Sequence, residues 1–200
     1  MAVTILEEKA LDRTTQAAEG MVRRRFSVAE LEAMTAAGII EEDERIELIG
    51  GEVVPMSPKG NRHEILKHGL LHYWARRVPD RLTFTTETTL RLTQDTYLEP
   101  DFVFFDKKTK LKELSADNVH LVVELADSSY AYDIGRKAAL YASSGIPELW
   151  VIHAQRLETR VHRSPSLTGY HSMIDLPSDQ LLTPEVAAGL AVTLSELELN

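Results

Sequence analysis

Two acidic residues stand in or beside apolar, β-rich runs, where a carboxylate is costly to bury. Asp101 leads into the run 102–105, and Glu124 interrupts the run 121–125. An ionised carboxylate that is buried without a partner is strongly destabilising. If the two converge, something positive should lie between them, and a divalent cation is the simplest candidate. The pair therefore predicts a metal site.

Asp101 and Glu124 would offer a hard cation, Mg²⁺ or Mn²⁺, the carboxylate oxygens that it prefers, and would leave positions for water and phosphate. Such a cation lowers the pKa of a bound water and stabilises the charge that develops on phosphorus oxygens. A lysine beside it would orient or deprotonate the water, or offset transition-state charge. Together these groups describe a minimal phosphodiester hydrolase.

Each acid also has a simpler interpretation. Asp101, taken alone, is typical of a turn or the start of a strand. Glu124 would form a structural ion pair with Arg136 or Lys137, and Lys137 by itself is typical of a solvated helix residue. The joint placement of these residues, rather than any one of them, favours a functional site.

Glu47 and a basic helix are further candidates. Glu47 lies between two apolar residues of a predicted strand, so its carboxylate either faces outward or adds a metal or water contact. The helix predicted over 62–77 is locally basic, and Arg62, His63 and Lys67 are its candidate nucleic-acid contacts. The alternatives are an ordinary solvated face and, for His63, an exposed or capping histidine.

The elements that would position these residues follow from periodicity. Three consecutive segments are typical of a βαβ unit: a strand over 119–125, a helix over 130–143 and a strand over 148–153. Glu124 lies about 10 Å before the strand end, and Lys137 about 10 Å into the helix. We therefore expect Lys137 near the level of Glu124, with Asp133, four residues earlier, on the same helix face.

The remaining pattern predicts further elements. Ser27 and Glu30 form a capping-box pattern for a helix that begins at Val28 and ends near Ala37. The other predicted elements are a hairpin over 45–49 and 52–56 around Gly50-Gly51, strands over 83–91 and 100–105, and a closing antiparallel pair over 157–163 and 170–174 with a loop over 164–169.

Length and composition limit the class of protein. The 200 residues suit a tail over 1–22, which we expect to be partly ordered, and one domain over 23–200. No apolar run reaches the roughly 20 residues of a membrane span, and the absence of cysteine excludes thiolate sites. A net charge of −9 argues against a general nucleic-acid coat protein. We expect a cytoplasmic protein.

Several segments together match a known family in order and spacing: 45–53, His63 opening a helix, 99–101, 122–125, and 133–141 followed by 145–151. Over roughly residues 24–195 the chain resembles the Uma2 family of endonucleases, within the PD-(D/E)xK, restriction-endonuclease-like superfamily. The resemblance implies an α/β (α+β) core with a mixed sheet flanked by helices, an N-terminal helix and hairpin, bound Mg²⁺ or Mn²⁺, and a homodimer.

The resemblance also implies roles for individual residues. Asp101 would be the aspartate of the PD pair, Glu124 the acid of the E-x-K motif, and Glu47 the N-terminal core glutamate. The E-x-K lysine position holds Ala126 here, and the family places its lysine on the following helix, where this chain has Lys137.

The resulting hypothesis is a metal-dependent endonuclease that acts on DNA, with Asp101 and Glu124 as metal ligands and Glu47 and Lys137 completing the catalytic set. One alternative is a non-catalytic, dimeric binding or regulatory protein that retains the nuclease fold. Another is a nuclease that acts on RNA or on branched DNA.

Overall fold

A computed structural model describes residues 22–41 and 43–199. The predicted tail over 1–22 therefore lies, apart from Val22, outside the described residues. The strands are β1 Ile46–Ile49, β2 Glu52–Pro55, β3 Leu82–Thr85, β4 Leu90–Thr93, β5 Thr96–Leu98, β6 Phe102–Asp106, β7 Val119–Ala126, β8 Glu148–His153, β9 Thr159–Ser166, β10 Gly169–Leu176, β11 Leu181–Leu182 and β12 Val192–Thr193.

Among the described residues the helices are fewer than the strands. They are α1 Val28–Ala36, α2 Asn61–Ala75, α3 Tyr130–Tyr132, a π-helical stretch Asp133–Lys137 and α4 Ala138–Ser143. The last three run on without interruption and are called here the crossover helix, 130–143. Short 3₁₀ turns occur at Leu111–Glu113, Ala116–Asn118, Ala188–Leu190 and Leu194–Glu196. None of the helices within 22–41 and 43–199 is long and apolar enough to cross a membrane.

A six-stranded mixed sheet forms the centre of the molecule, in the order β10-β9-β8-β7-β6-β3. Strands β7 and β8 are parallel, as the predicted βαβ unit requires, and the other neighbours are antiparallel. A smaller antiparallel sheet has the order β2-β1-β5-β4. The predicted mixed α/β class is confirmed.

Alternation along the central strands sends side chains to opposite faces of the large sheet. Leu121, Val123 and Leu125 of β7 pack under α2, in the cluster that contains the fully buried Trp74. Val122 and the residues on its side of the sheet pack under the crossover helix. Because side chains alternate with period two, Glu124 lies on the crossover-helix face.

The N-terminal elements form as the sequence predicts. The side chain of Ser27 accepts a hydrogen bond from the Glu30 backbone N–H, and the Glu30 carboxylate accepts one from the Ser27 backbone N–H, so the capping box is complete. Gly50 and Gly51 turn the hairpin between β1 and β2 with φ of 58° and 81°. These positive values are what a two-residue hairpin turn needs.

The predicted single strand over 83–91 is wrong. Strand β3 ends at Thr85, Glu87 adopts a left-handed φ of 49°, and β4 begins at Leu90 in the other sheet. The alternating pattern does not reveal this transfer between sheets, because both halves satisfy the same period. The predicted loop over 164–169 is also shorter in the structure, since β9 and β10 extend to leave only residues 167–168 between them.

Candidate active site

The two acids of adjacent strands lie side by side. Asp101 immediately precedes β6, and the β6–β7 register pairs Phe102 with Val123. The backbone N–H of Leu125 donates to Asp101 Oδ2 at 2.8 Å. Asp101 and Glu124 are both buried, each about 4 % exposed. The strand register thus brings the two predicted acids to one point on the crossover-helix face.

Lys137 reaches this point from the crossover helix, which packs on this face of the sheet. Its ammonium lies 3.2 Å from Glu124 Oε1, 2.9 Å from Glu47 Oε1 and 4.0 Å from Asp133 Oδ1. The structure therefore contains the ion pair with Lys137 that the simpler interpretation of Glu124 predicted, whereas Arg136 is exposed. The residue count along the βαβ unit placed Lys137 correctly, although it did not predict that Lys137 ends a π-helical stretch.

Glu47 points into the molecule, so the expectation of an outward-facing strand carboxylate is wrong. All of β1 is buried, because α1 covers Ile46 and Leu48 while Ile49 packs against the main core. Glu47 shares the face of Ile49, and its Oε1 accepts the backbone N–H of Glu99 at 3.1 Å. Burial of both faces gives β1 the character of a central strand.

Two hydroxyl groups that the sequence analysis did not identify complete the acidic side of the site. Tyr141 donates its hydroxyl to Glu124 Oε1 at 2.7 Å, and Ser129 donates to Asp133 Oδ2 at 2.6 Å. Tyr141 follows Lys137 by four residues, so helical spacing alone could have placed it on the same face. No comparable signal marks Ser129.

Asp101 has its own set of nitrogen partners. Lys59 Nζ lies 2.8 Å from Asp101 Oδ1, and His63 Nε2 lies 3.0 Å from the same oxygen. Burial alone would raise the pKa of Asp101, but the hydrogen bonds and charges of His63 and Lys59 outweigh it and lower the pKa to about 2. Asp101 is therefore ionised at neutral pH.

The three candidate nucleic-acid contacts differ in their surroundings. Arg62 is exposed. His63 is about 6 % exposed, so the expectation of an exposed or capping histidine is wrong. Lys67 lies 2.8 Å from Glu64 Oε2 and 3.1 Å from Glu87 Oε1. The charge of Lys67 is thus shared between two carboxylates of its own chain.

The acids around Lys137 outnumber it. Burial raises the pKa of Glu124 against the opposing effect of Lys137, and burial raises that of Asp133 to about 6. The pKa of Lys137 itself is above its ordinary value, because the charges of Glu124, Glu47 and Asp133 outweigh burial. Lys137 is therefore an ammonium, and the carboxylates it cannot neutralise favour a further proton or a cation.

These groups line one cavity of about 250 Å³. The polar residues on its wall are Glu47, Ser57, Lys59, His63, Glu99, Asp101, Glu124, Asp127, Ser128, Ser129, Tyr132, Asp133 and Lys137. The β2–α2 loop and the start of the crossover helix form part of its wall.

A divalent cation fits this donor set as a two-carboxylate site. The described ranges contain no group of three or more His, Cys, Asp or Glu side chains arranged to hold a metal ion. Mg²⁺, however, is commonly held by one or two carboxylates, with water and phosphate as its other ligands. Within the described residues the bonds to Glu124 all reach Oε1, so the other oxygen of this carboxylate would be available to a cation.

Comparison with solved structures identifies the fold. A crystal structure of a "putative nuclease belonging to DUF820" from Anabaena variabilis ATCC 29413 is similar with a TM-score of 0.64 at 14% identity, covering 80% of this chain and 93% of that chain. This likeness shows the restriction-endonuclease-like fold alone. The apo structure of NucC from E. coli MS115-1 overlaps with a TM-score of 0.26 at 18% identity, over 46% of this chain and 50% of that chain, too little to support an argument.

Comparison with family models covers most of the chain. No curated protein sequence matches it. The family model described as "Uma2: Putative restriction endonuclease" matches residues 28–195, a span that contains Glu47, Asp101, Glu124 and Lys137. On this match the chain belongs to the Uma2 family of restriction-endonuclease-like nucleases.

Proposed function

We propose that this protein is a divalent-metal-dependent endonuclease that hydrolyses phosphodiester bonds of DNA in the bacterial cytoplasm, as a homodimer. The observation that carries the proposal is the convergence of Glu47, Glu124 and Asp133 on Lys137, with Asp101 lining the same cavity. Family membership supports nuclease chemistry, and a surplus of carboxylates over ammonium groups supports a cation.

In this proposal Asp101 and Glu124 hold Mg²⁺ or Mn²⁺, which when bound would activate a water and stabilise charge on the phosphate. Lys137 is placed to stabilise that developing charge as an ammonium. Glu47 and Asp133 hold Lys137 in position from two sides. Tyr141 fixes the orientation of the Glu124 carboxylate.

The test is cleavage of closed-circular plasmid DNA with Mg²⁺ or Mn²⁺, since only an endonuclease opens a circle. We expect the parent to nick the plasmid and both Glu124→Gln and Lys137→Met to lose at least about a hundredfold in rate, the scale of a lost electrostatic contribution. Equal rates for these variants and the parent would remove the assignment.

Glu148→Gln is the matched control. Glu148 is also a fully buried carboxylate, but it pairs with Arg163 at 2.7 Å and lies outside the cavity. We expect Glu148→Gln to lower thermal stability while leaving the cleavage rate of the folded fraction unchanged. This pattern would separate loss of the site from loss of the fold.

One observation favours the alternative of a non-catalytic binding or regulatory protein. Lys137 already contacts three of the carboxylates, so much of the site is satisfied without a metal. Calorimetry with millimolar MnCl₂ distinguishes the two functions. Heat of binding that disappears in Glu124→Gln supports the nuclease, whereas no binding by the parent supports the non-catalytic protein.

A further inference from the structure

Lys59 belongs to a closed ring of ionisable side chains that includes Asp101 of the candidate active site. On one side, Lys59 Nζ lies 2.8 Å from Asp101 Oδ1 and also contacts Glu87, and Glu87 Oε1 lies 3.1 Å from Lys67 Nζ. On the other side, His63 Nε2 lies 3.0 Å from Asp101 Oδ1, and His63 Nδ1 lies 3.1 Å from Glu64 Oε1. Lys67 Nζ closes the ring at 2.8 Å from Glu64 Oε2. Nothing in the family pattern quoted above includes Lys59, Glu64, Lys67 or Glu87.

Asp101 Oδ1 therefore faces two nitrogen groups at once. Asp101 Oδ2 already accepts the Leu125 backbone N–H. A cation that binds this carboxylate through Oδ1 must displace one of the two nitrogen groups, because an ammonium and a divalent cation cannot occupy the same position on one oxygen. Lys59 provides the charge partner that the buried Asp101 carboxylate requires. Lys59 and the metal are thus competitors for Asp101.

Of the two nitrogen groups, Lys59 is the one placed to leave. His63 belongs to α2 and is fixed from its other side by Glu64. Lys59 instead lies in the loop between β2 and α2. One end of the loop is fixed by a hydrogen bond from the Met56 N–H to Arg45 O, and the other by Gly60 O, which accepts the first hydrogen bond of α2. Between these two ends, within the described chain, neither Ser57 nor Lys59 makes a backbone–backbone hydrogen bond.

A displaced Lys59 would stay beside the reacting atoms. It lines the same cavity as Glu124 and Lys137, and Glu87 remains as an anchor for its ammonium. Glu87 itself is held in an uncommon left-handed conformation, with φ of 49°, by its N–H bond to Pro100 O. An ammonium released at the mouth of a metal-phosphate site has one strong type of partner there, a phosphate oxygen.

We propose that Lys59 is a phosphate-binding residue that competes with the divalent cation for Asp101. It holds Asp101 in the metal-free protein and binds a backbone phosphate oxygen of the substrate once the cation occupies the carboxylate. This inference rests on the proposed metal-dependent nuclease function.

The test compares Lys59→Met with Lys67→Met. Both changes remove one ammonium that contacts Glu87, but only Lys59 contacts Asp101. In calorimetric titrations with MnCl₂ and no DNA, we expect Lys59→Met to bind Mn²⁺ roughly tenfold more tightly. In the parent only the fraction of molecules in which Lys59 has left Asp101 can bind the metal, whereas in the variant Asp101 is accessible to the metal in every molecule. Lys67→Met should remain within about twofold of the parent, because its ammonium does not occupy the metal-binding oxygen.

Plasmid nicking at saturating Mn²⁺ gives the second measurement. We expect Lys59→Met to cleave at least about tenfold more slowly despite its tighter metal binding, because a phosphate contact is lost. Lys59→Arg should recover most of the rate, since a guanidinium also binds phosphate. Thermal unfolding of each variant verifies that the fold is retained.

The outcomes separate this inference from the proposed function. Tighter Mn²⁺ binding with slower cleavage supports the role of Lys59. Unchanged Mn²⁺ affinity in Lys59→Met, or tighter binding with cleavage at the parental rate, overturns that role while the nuclease assignment stands. A parent that neither binds Mn²⁺ nor nicks DNA overturns the proposed function and this inference with it.

Discussion

Tyr141 belongs both to the hydrophobic core and to the candidate active site. Its ring lies on the buried face of the crossover helix and is fully buried, and its hydroxyl donates to Glu124. We expect Tyr141→Phe to lower the free energy of unfolding by about 1–2 kcal/mol, the value of a hydrogen bond to an acidic group. It should also slow DNA cleavage several-fold, because Glu124 loses an orienting donor.

Tyr170→Phe provides the control for this prediction. The Tyr170 hydroxyl is also buried, but it donates to the backbone oxygen of Ile146 at 2.8 Å, away from the cavity. Chemical denaturation should show a comparable loss of stability, and plasmid nicking should be unchanged. Equal slowing of cleavage by both variants would contradict a specific role for Tyr141.

His162 should make the fold sensitive to acid. The side chain is about 1 % exposed, and neither ring nitrogen has a hydrogen-bond partner among the described residues. Burial, with a further effect of Arg160, lowers its pKa from 6.5 to about 4. The unfolded chain therefore binds a proton between pH 6.5 and 4 that the folded chain does not, so this contribution to stability is complete above pH 6.5 and declines as the pH falls.

The size of this pH effect on stability follows from the difference between the His162 pKa values of the folded and unfolded chain. At pH 5 this residue should cost about 2 kcal/mol of unfolding free energy relative to pH 7.5. We expect His162→Phe to show a correspondingly smaller loss between these two pH values in urea denaturation. An identical pH dependence of the parent and the variant would exclude His162 as the source.

At the scale of the element, the β1–β2 hairpin determines where Glu47 lies. Gly51 has φ of 81°, and a Cβ there would lie 2.5 Å from Arg25 Cβ and 3.0 Å from Arg25 Cα. We expect Gly51→Ala to destabilise the protein by about 2 kcal/mol or more, combining backbone strain with a clash. Cleavage should fall as well, because the hairpin carries Glu47 to Lys137.

Gly38→Ala isolates the strain from the clash. Gly38 also has a positive φ of 69°, but a Cβ there would meet no atom within 4 Å. We expect Gly38→Ala to lower the free energy of unfolding by only about 1 kcal/mol, the cost of a left-handed backbone conformation. The rate of DNA cleavage should not change. Thermal denaturation of the two variants side by side gives the comparison.

At the scale of the whole molecule, net charge opposes DNA binding. The chain carries a net charge of −9, and the buried acids of the cavity concentrate part of that charge where a phosphate would have to enter. We expect duplex binding at physiological ionic strength to be undetectable in EDTA and to appear with Mg²⁺, because the cation reverses the local repulsion.

Fluorescence anisotropy with a labelled duplex measures this binding. A parallel titration with Ca²⁺ in place of Mg²⁺ tests whether a different divalent cation gives the same binding through general screening of charge. Binding of equal strength in EDTA and in Mg²⁺ would show that affinity comes from surface lysines and arginines instead.

The elements whose contacts are local could be predicted from the sequence. The capping box of Ser27 and Glu30, the Gly50–Gly51 turn and the βαβ unit depend on spacing along a few neighbouring residues, and the structure confirms each. The meeting of Lys137 with Glu124 belongs to the same class, because it follows from the rise per residue along one strand and one helix.

The groups that surround Asp101 are set by long-range packing. Lys59 reaches Asp101 across 42 residues of chain, and Glu87 reaches Lys59 across 28 residues, through a loop and a left-handed turn that no periodicity marks. The burial of Glu47 likewise depends on α1 covering the outer face of β1. Periodic patterns record which face of an element is apolar, but the partner that covers that face, and the charges brought with it, are set by long-range packing.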